Sequence, residues 1–125
     1  MPDIPKPGTH PWPVEIKLKK SERLLDISFD DGAHFRLGAE LLRVESPSAE
    51  VQGHGAGQKK TVPGKANVAI VALEPVGNYA LRIVFDDGHD TGLYTWETLY
   101  RLGTDSEKIW TDYLTALERE GLARE

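Results

Sequence analysis

The chain has 125 residues, 39% of them hydrophobic and 28% charged, with a formal charge of −5 and no cysteine. That length suits one domain with a sizeable core, and no apolar run approaches the roughly eighteen residues of a membrane span. The lack of cysteine excludes disulfides, thiol nucleophiles, iron–sulfur ligation and cysteine-based zinc sites, while the acidic balance sets the global field against nucleic-acid phosphates and anionic lipid.

Residues 1–13 hold prolines at positions 2, 5, 7, 11 and 13. Proline fixes φ and lacks an amide donor, so this stretch is expected to be an extended arm, pinned to the domain through Trp12. It has neither the basic nor the apolar region of a secretory signal, so a cytoplasmic location is expected. Val14, Ile16 and Leu18 alternate with Glu15, Lys17 and Lys19, which predicts a half-buried strand. Lys17, Lys19 and Lys20 read as a solvated strand end and turn. Leu24–Phe29 predicts a second strand, Asp30-Asp31-Gly32 a turn, His34–Leu37 a third strand and Ala39–Val44 a short helix.

Ser46–Gly64 offers almost nothing to bury and reads as a surface loop. Its glycines followed by Lys59-Lys60 invite a phosphate-binding reading, but GHGAGQKK fits neither G-x-x-x-x-G-K-[ST] nor G-x-G-x-x-G, so a surface loop is the expectation and a phosphate cradle the alternative. Asn67–Leu73 is nearly continuously apolar and predicts a central strand, turned by Glu74–Asn78 into an antiparallel partner over Tyr79–Phe85. A second Asp-Asp-Gly turn at 86–88 leads to a short strand over Thr91–Tyr94. Thr95 is placed to cap a helix carrying Trp96, Leu99, Tyr100 and Leu102. Thr104-Asp105-Ser106-Glu107 reads as a capping box, opening a helix with Ile109, Trp110, Tyr113, Leu114 and Leu117 on one face and Gly121 as its stop.

Phe29-Asp30-Asp31-Gly32 recurs as Phe85-Asp86-Asp87-Gly88. Leu37 matches Leu93 at the same offset, and Glu40 and Leu42 match Glu97 and Leu99 after one inserted residue. Duplication and shared turn chemistry both account for this echo. The expected fold is therefore α+β: two strand–turn–strand–helix units, mainly antiparallel, in one domain over residues 14–121. The C-terminal helix, 104–121, packs on the sheet.

The titratable candidates are His10, His34, His54, His89 and the two aspartate pairs. H-E-x-x-H, G-x-S-x-G and S-x-x-K are absent. His89-Asp90 is adjacent, which points the two side chains apart in a strand, and each aspartate pair has a complete turn-forming explanation. No nucleophile, base and orienting group assemble, so no catalysis is expected.

Leu42-Arg43, Ser46-Pro47-Ser48 and Val51, with Asp87-Gly88-His89, Gly92-Leu93-Tyr94 and Trp96, resemble the gamma-butyrobetaine hydroxylase-like N-terminal domain family. The resemblance spans roughly residues 20–103. In the hydroxylases this domain precedes a separate iron- and 2-oxoglutarate-dependent catalytic domain, and stand-alone bacterial copies and fusions to iron–sulfur carrier ATPases also occur. The family resemblance implies a structural zinc held by a C-P-C-x-x-C cluster and the histidine of the D-G-H string. His89 matches that histidine, but Ser46, Ser48 and Val51 stand where the cysteines would be, and none replaces a thiolate. Residues after Gly103 form one helix, not a catalytic barrel, so hydroxylase activity does not carry over.

The reading that results is a small non-enzymatic accessory or interaction module without cofactor. Its partner is a protein, not nucleic acid or membrane, and family analogy suggests an iron–sulfur carrier ATPase. Arg43, Ser46, Ser48, His54, His89, Tyr94 and Trp96 are the candidate binding residues. The alternative is a metal- or small-ligand-binding protein using His89 with His54, with Glu45 and Glu50 as oxygen donors.

Overall fold

Alternating apolar residues, broken at two Asp-Asp-Gly turns, produce two three-stranded antiparallel sheets in the computed structural model, which describes residues 11–53 and 57–125. The first sheet joins β1 (Pro13–Lys19), β2 (Leu24–Phe29) and β3 (His34–Gly38) in that order. Helices α1 (Ala39–Val44) and α2 (Ala49–Gln52) follow. The second sheet joins β4 (Ile70–Val76), β5 (Ala80–Phe85) and β6 (Leu93–Thr95), and α3 (Trp96–Thr104) and α4 (Ser106–Glu120) complete the chain. The architecture is α+β. Of the proline arm, residues 1–10 lie outside the described residues. Trp12 is tied to the first turn: its amide donates to Asp30 Oδ1 at 3.2 Å, and its carbonyl accepts from the Asp30 amide at 2.8 Å.

The sequence echo extends through the whole of each half. In each half the first turn aspartate accepts from an amide just ahead of the outer strand, Trp12 to Asp30 and Ala69 to Asp86. The second aspartate accepts from the amide two residues on, Ala33 to Asp31 at 2.9 Å and His89 to Asp87 at 3.0 Å. The turn glycines Gly32 and Gly88 share φ of 91° and 90°, a left-handed conformation that only glycine adopts without strain. Register irregularities fall at matching places too, between Pro13 and Glu15 and between Ile70 and Ala72. They turn Val14 and Val71 out to solvent, although the alternation of Val14, Ile16 and Leu18 predicted one buried face.

Sheet register corrects the alignment of the repeat. Leu25 pairs with Leu37 in the first sheet, and its counterpart Leu81 pairs with Tyr94 in the second. The inserted residue therefore falls before β6, and Leu37 corresponds to buried Tyr94, while Leu93 is exposed. In the same frame Phe35 corresponds to Gly92 and Ser46 to Gly103. The first half packs the large Phe35 ring against Gly103 of α3, where an added Cβ would lie 2.3 Å from the ring. The second half inverts the sizes, with Gly92 making room for the Ser46 hydroxyl, 2.4 Å from where a Cβ would sit.

Leu25, Ile27, Phe29, Leu37, Leu42, Leu81, Ile83, Phe85, Tyr94, Leu99 and Leu102 fill a common core drawn from both sheets, α1 and α3. A smaller cluster joins Val44 of α1 to Tyr113 and Leu117 of α4, with Val62 and Trp110 against it. Ile109 and Trp110 bring α4 onto the main core as well. Three local expectations fail. β4 is an edge strand that runs on through Glu74-Pro75-Val76, an arrangement open to proline because an edge leaves one side of the ladder unpaired. Thr104 closes α3 instead of opening a capping box, and α4 is preceded by Asp105 without a side-chain cap. The segment after α1 is not free of buried groups, since Ser46, Ser48 and Val51 are interior and α2 forms within it. Thr95 does cap α3, accepting from the Thr98 amide at 3.1 Å, and Gly121 ends α4 in the left-handed conformation.

Beyond Gly121 the chain stays attached. The Gly64 and Ala66 amides donate to the carbonyls of Ala123 and Arg124. Arg124 forks onto Glu40 at 2.7 and 3.0 Å and lies over the Trp110 ring. Alanine normally favours a helix over glycine. At position 103 the Phe35 ring reverses that preference. Gly103→Ala is expected to lower unfolding free energy by about 1–3 kcal/mol, as overpacking does. Adding Phe35→Leu should recover part of the loss, as read from urea denaturation of both variants.

Candidate functional site

The polar cluster of the second half is built by three pieces of local structure. The Asp-Asp-Gly turn delivers His89 at the foot of β6, where the first half has Ala33. α1 ends at Glu45, so Ser46 and Ser48 fold back beneath the turn. Ser48 then opens α2, its carbonyl accepting from the Val51 and Gln52 amides. The Ser46 hydroxyl lies 2.8 Å from His89 Nε2, and the Ser48 hydroxyl lies 3.4 Å from the same atom. The two hydroxyls are 3.3 Å apart. Gln52 Nε2 donates to the Ser46 carbonyl at 2.9 Å. Ser46 is fully buried, and Ser48, Val51 and His89 are nearly so.

The surroundings of His89 disfavour its charged form. Burial lowers its pKa from the ordinary 6.5, and the nearby Arg43 guanidinium adds to the effect, while Glu50, Asp87 and Asp90 oppose it. Glu50 sits on the Nδ1 side, 3.9 Å away, and accepts from the Thr91 hydroxyl at 2.5 Å. A carboxylate there favours the proton on Nδ1, which leaves Nε2 to accept from Ser46. Beside this cluster Arg43 Nε donates to Asp87 at 2.7 Å, and Lys65 reaches the same oxygen at 2.6 Å. Burial alone would raise the Asp87 carboxyl, but bonds from Lys65, the His89 amide and Arg43 outweigh it and hold it well below the usual carboxylate range. Burial pushes the Tyr94 phenol far up, and its hydroxyl donates to the Leu42 carbonyl of α1 at 2.5 Å.

Ser46, His89 and Glu50 follow the order of a serine hydrolase triad, yet the geometry does not serve acyl transfer. Ser46 has no exposed surface to meet a substrate, and the His89–Glu50 separation exceeds a hydrogen bond. Zinc does not fit the set either. A structural zinc needs four S, N or O donors that give up a proton readily or carry none, and this cluster offers one imidazole, two alcohols and valine. Both alcohols are already committed to the His89 bond network. Glu45 is turned away, its carboxylate held by Lys59 at 2.6 Å. Among the described residues no group of three or more His, Cys, Asp or Glu could hold a metal ion.

The structure thus gathers Arg43, Ser46, Ser48, His89 and Tyr94 in one neighbourhood. His54 lies outside the described residues. Trp96 stands apart at the start of α3, half-buried, with its indole N–H donating to the Asn78 carbonyl at 2.8 Å. Sequence reasoning missed Gln52, Lys65 and Thr91, which secure the cluster from its rim. Lys65 carries no local signal, since its partner Asp87 lies 22 positions away on another element. The basic run of β1 is largely neutralised, with Lys17 near Glu15 and Lys19 near Asp26.

Two outcomes follow from this geometry. Because the fold favours neutral His89 and ionised Asp87, stability should be full near pH 7, fall as pH drops through about 6.5 and fall again below the ordinary aspartate value of 3.8. His89→Gln should flatten the first fall and spare the second, as read from urea midpoints at pH 7, 5 and 3.5. The combined change Ser46→Cys, Ser48→Cys and Val51→Cys should convert the cluster into a thiolate–imidazole site holding about one zinc per chain. Elemental analysis of tagless protein checks this against the parent chain.

The chain is similar to two proteins solved by NMR in solution. One is 49% identical, with a TM-score of 0.81, covering 98% of this chain and 91% of that one. The other is 46% identical, with a TM-score of 0.80, covering 93% and 91%. A crystal structure of a protein of unknown function from Acidithiobacillus ferrooxidans, placed in the DUF971 family, is 41% identical with a TM-score of 0.62, covering 73% of this chain and 91% of that one. No curated protein matches. Residues 16–100 match the family model described as gamma-butyrobetaine hydroxylase-like, N-terminal, so the chain belongs to that family.

Proposed function

We propose that this protein is a small, non-enzymatic accessory module that recognises a protein partner in the cytoplasm. The supporting observation is that the positions corresponding to the family's metal ligands hold a closed hydrogen-bonded cluster. Ser46 and Ser48 clasp His89 in the interior, where a metal centre would otherwise brace the segment after α1 against the second turn. Such a brace fixes a surface, and function then lies on that surface.

The buried members of the cluster are not the atoms a partner would touch. The contact surface is their exposed rim: Glu50 and Thr91, joined by their hydrogen bond, with half-buried Arg43 beside them. Trp96 is half-buried on α3, held to the Asn78 carbonyl, and is not part of this rim. The partner class that family resemblance suggests is an iron–sulfur carrier ATPase.

The test is binding of the full chain to the iron–sulfur carrier ATPase of its own host, compared with Glu50→Lys and Thr91→Arg combined. The expected result is saturable binding by the parent chain and a loss of about tenfold or more in the rim variant. Equal binding by both proteins would refute the rim as the contact surface. No binding by either would refute the ATPase as the partner.

A further inference from the structure

A second site lies away from the His89 cluster. Lys59, Lys60 and Thr61, Arg101 of α3 and Arg119 of α4 together line a cleft of about 320 Å³. The apolar part of its lining comes from Val44, Ile109, Ala116 and Tyr113. The volume is at the small end of sites that hold metabolites.

The charges of this cleft are unbalanced in a chain whose overall charge is −5. Its acidic members are already engaged, Glu45 by Lys59 at 2.6 Å and Asp112 by Lys108 at 2.7 Å. Among the described residues Lys60 and Arg101 have no ion-pair partner, and Arg119 has only its neighbour Glu120 at 3.6 Å. The Tyr113 hydroxyl donates to the Val62 carbonyl and the Thr61 hydroxyl to Glu120, which leaves the cations as the donors available to a ligand. Guanidinium groups bind carboxylate and phosphate through paired N–H donors, and a lysine ammonium adds a point charge.

We propose that this cleft binds a small organic anion with two or more negative charges, a polycarboxylate or a phosphate ester, its charged end taken by Lys60, Arg101 and Arg119 and its carbon body by the apolar lining. The site rests on none of the residues used in the partner proposal, so either stands if the other fails. The sequence hinted at anion binding through the glycines of GHGAGQKK, but the donors here are side chains from three separate elements.

The experiment is a ¹H–¹⁵N NMR titration of the full chain with citrate and with inorganic pyrophosphate, at ionic strength held constant with sodium chloride. Saturable shifts centred on residues 59–61, 101 and 119 are expected with at least one of the two anions. Lys60→Glu with Arg101→Glu should weaken binding at least about tenfold. Lys17→Glu, the same kind of charge change on β1, should leave it unaltered. Absence of saturation with both anions, or equal weakening by Lys17→Glu, would overturn the proposal. Shifts produced only by a glutamate-rich peptide would overturn it in favour of an acidic protein segment.

Discussion

One residue from each half of the molecule reaches across to the turn of the other half. Arg43 on α1 donates to Asp87, and the Tyr100 hydroxyl on α3 donates to Asp31 at 2.6 Å. The two donors hold the same position in the repeat, as do the two acceptors. Each aspartate also closes its own turn through the amide two residues on. Turn closure and docking of the halves therefore share a carboxylate. Loss of either aspartate would remove a turn-closing bond and a bond between the halves together. The rings reinforce one side of this clasp, where Tyr100 sets its edge against Phe29 and Phe35 at 5.0 and 5.4 Å.

The candidate site arises where the two halves stop being equivalent. In the first half an aromatic ring fills the space beneath the turn, and α3 accommodates it with Gly103. In the second half Gly92 replaces that ring, and polar side chains occupy the space instead. Polar groups in such a place must satisfy one another, because an unpaired buried hydroxyl or imidazole nitrogen costs about 1–3 kcal/mol. Ser46, Ser48, Gln52 and His89 meet that demand with bonds drawn from three segments. The cluster is thus a specific closure of the structure, and changing one member disturbs the others.

Much of this was legible in the sequence because the turns are strong local signals. Asp-Asp-Gly fixes a chain reversal through its own side chains, and the strands entering each turn, Leu24–Phe29 and Ala80–Phe85, alternate or run apolar as buried central strands must. The family resemblance rested on residues that do converge in space, with Ser46, Ser48 and His89 together and Val51 on the adjoining helical turn. What escaped reading depended on partners distant in sequence. Gly103 looks like a helix stop until Phe35 is seen occupying the place of its side chain. Helix α2 has four residues, too few to show a period, and follows a run rich in helix-neutral residues. Pro75 suggests a turn unless the strand is known to lie at an edge. The repeat itself was visible, but its frame was set by pairing across β5 and β6, which the matching of Leu37 to Leu93 could not supply.

Helix α1 links the two functional proposals physically. It has six residues, less than is needed for a stable isolated helix, so its position is set by what holds it. The Tyr94 hydroxyl takes the Leu42 carbonyl, Asp87 takes Arg43, and Val44 seats against Tyr113 of α4. At its end two consecutive residues face opposite ways: Glu45 toward Lys59 and the cationic cleft, Ser46 toward His89 and the buried cluster. An anion that competed with Glu45 for Lys59 would bear directly on the segment carrying Ser46. Coupling between two sites requires a shared element that both can bias. In this fold the end of α1 touches both, held on one side by the Glu45–Lys59 ion pair and on the other by the Ser46–His89 hydrogen bond.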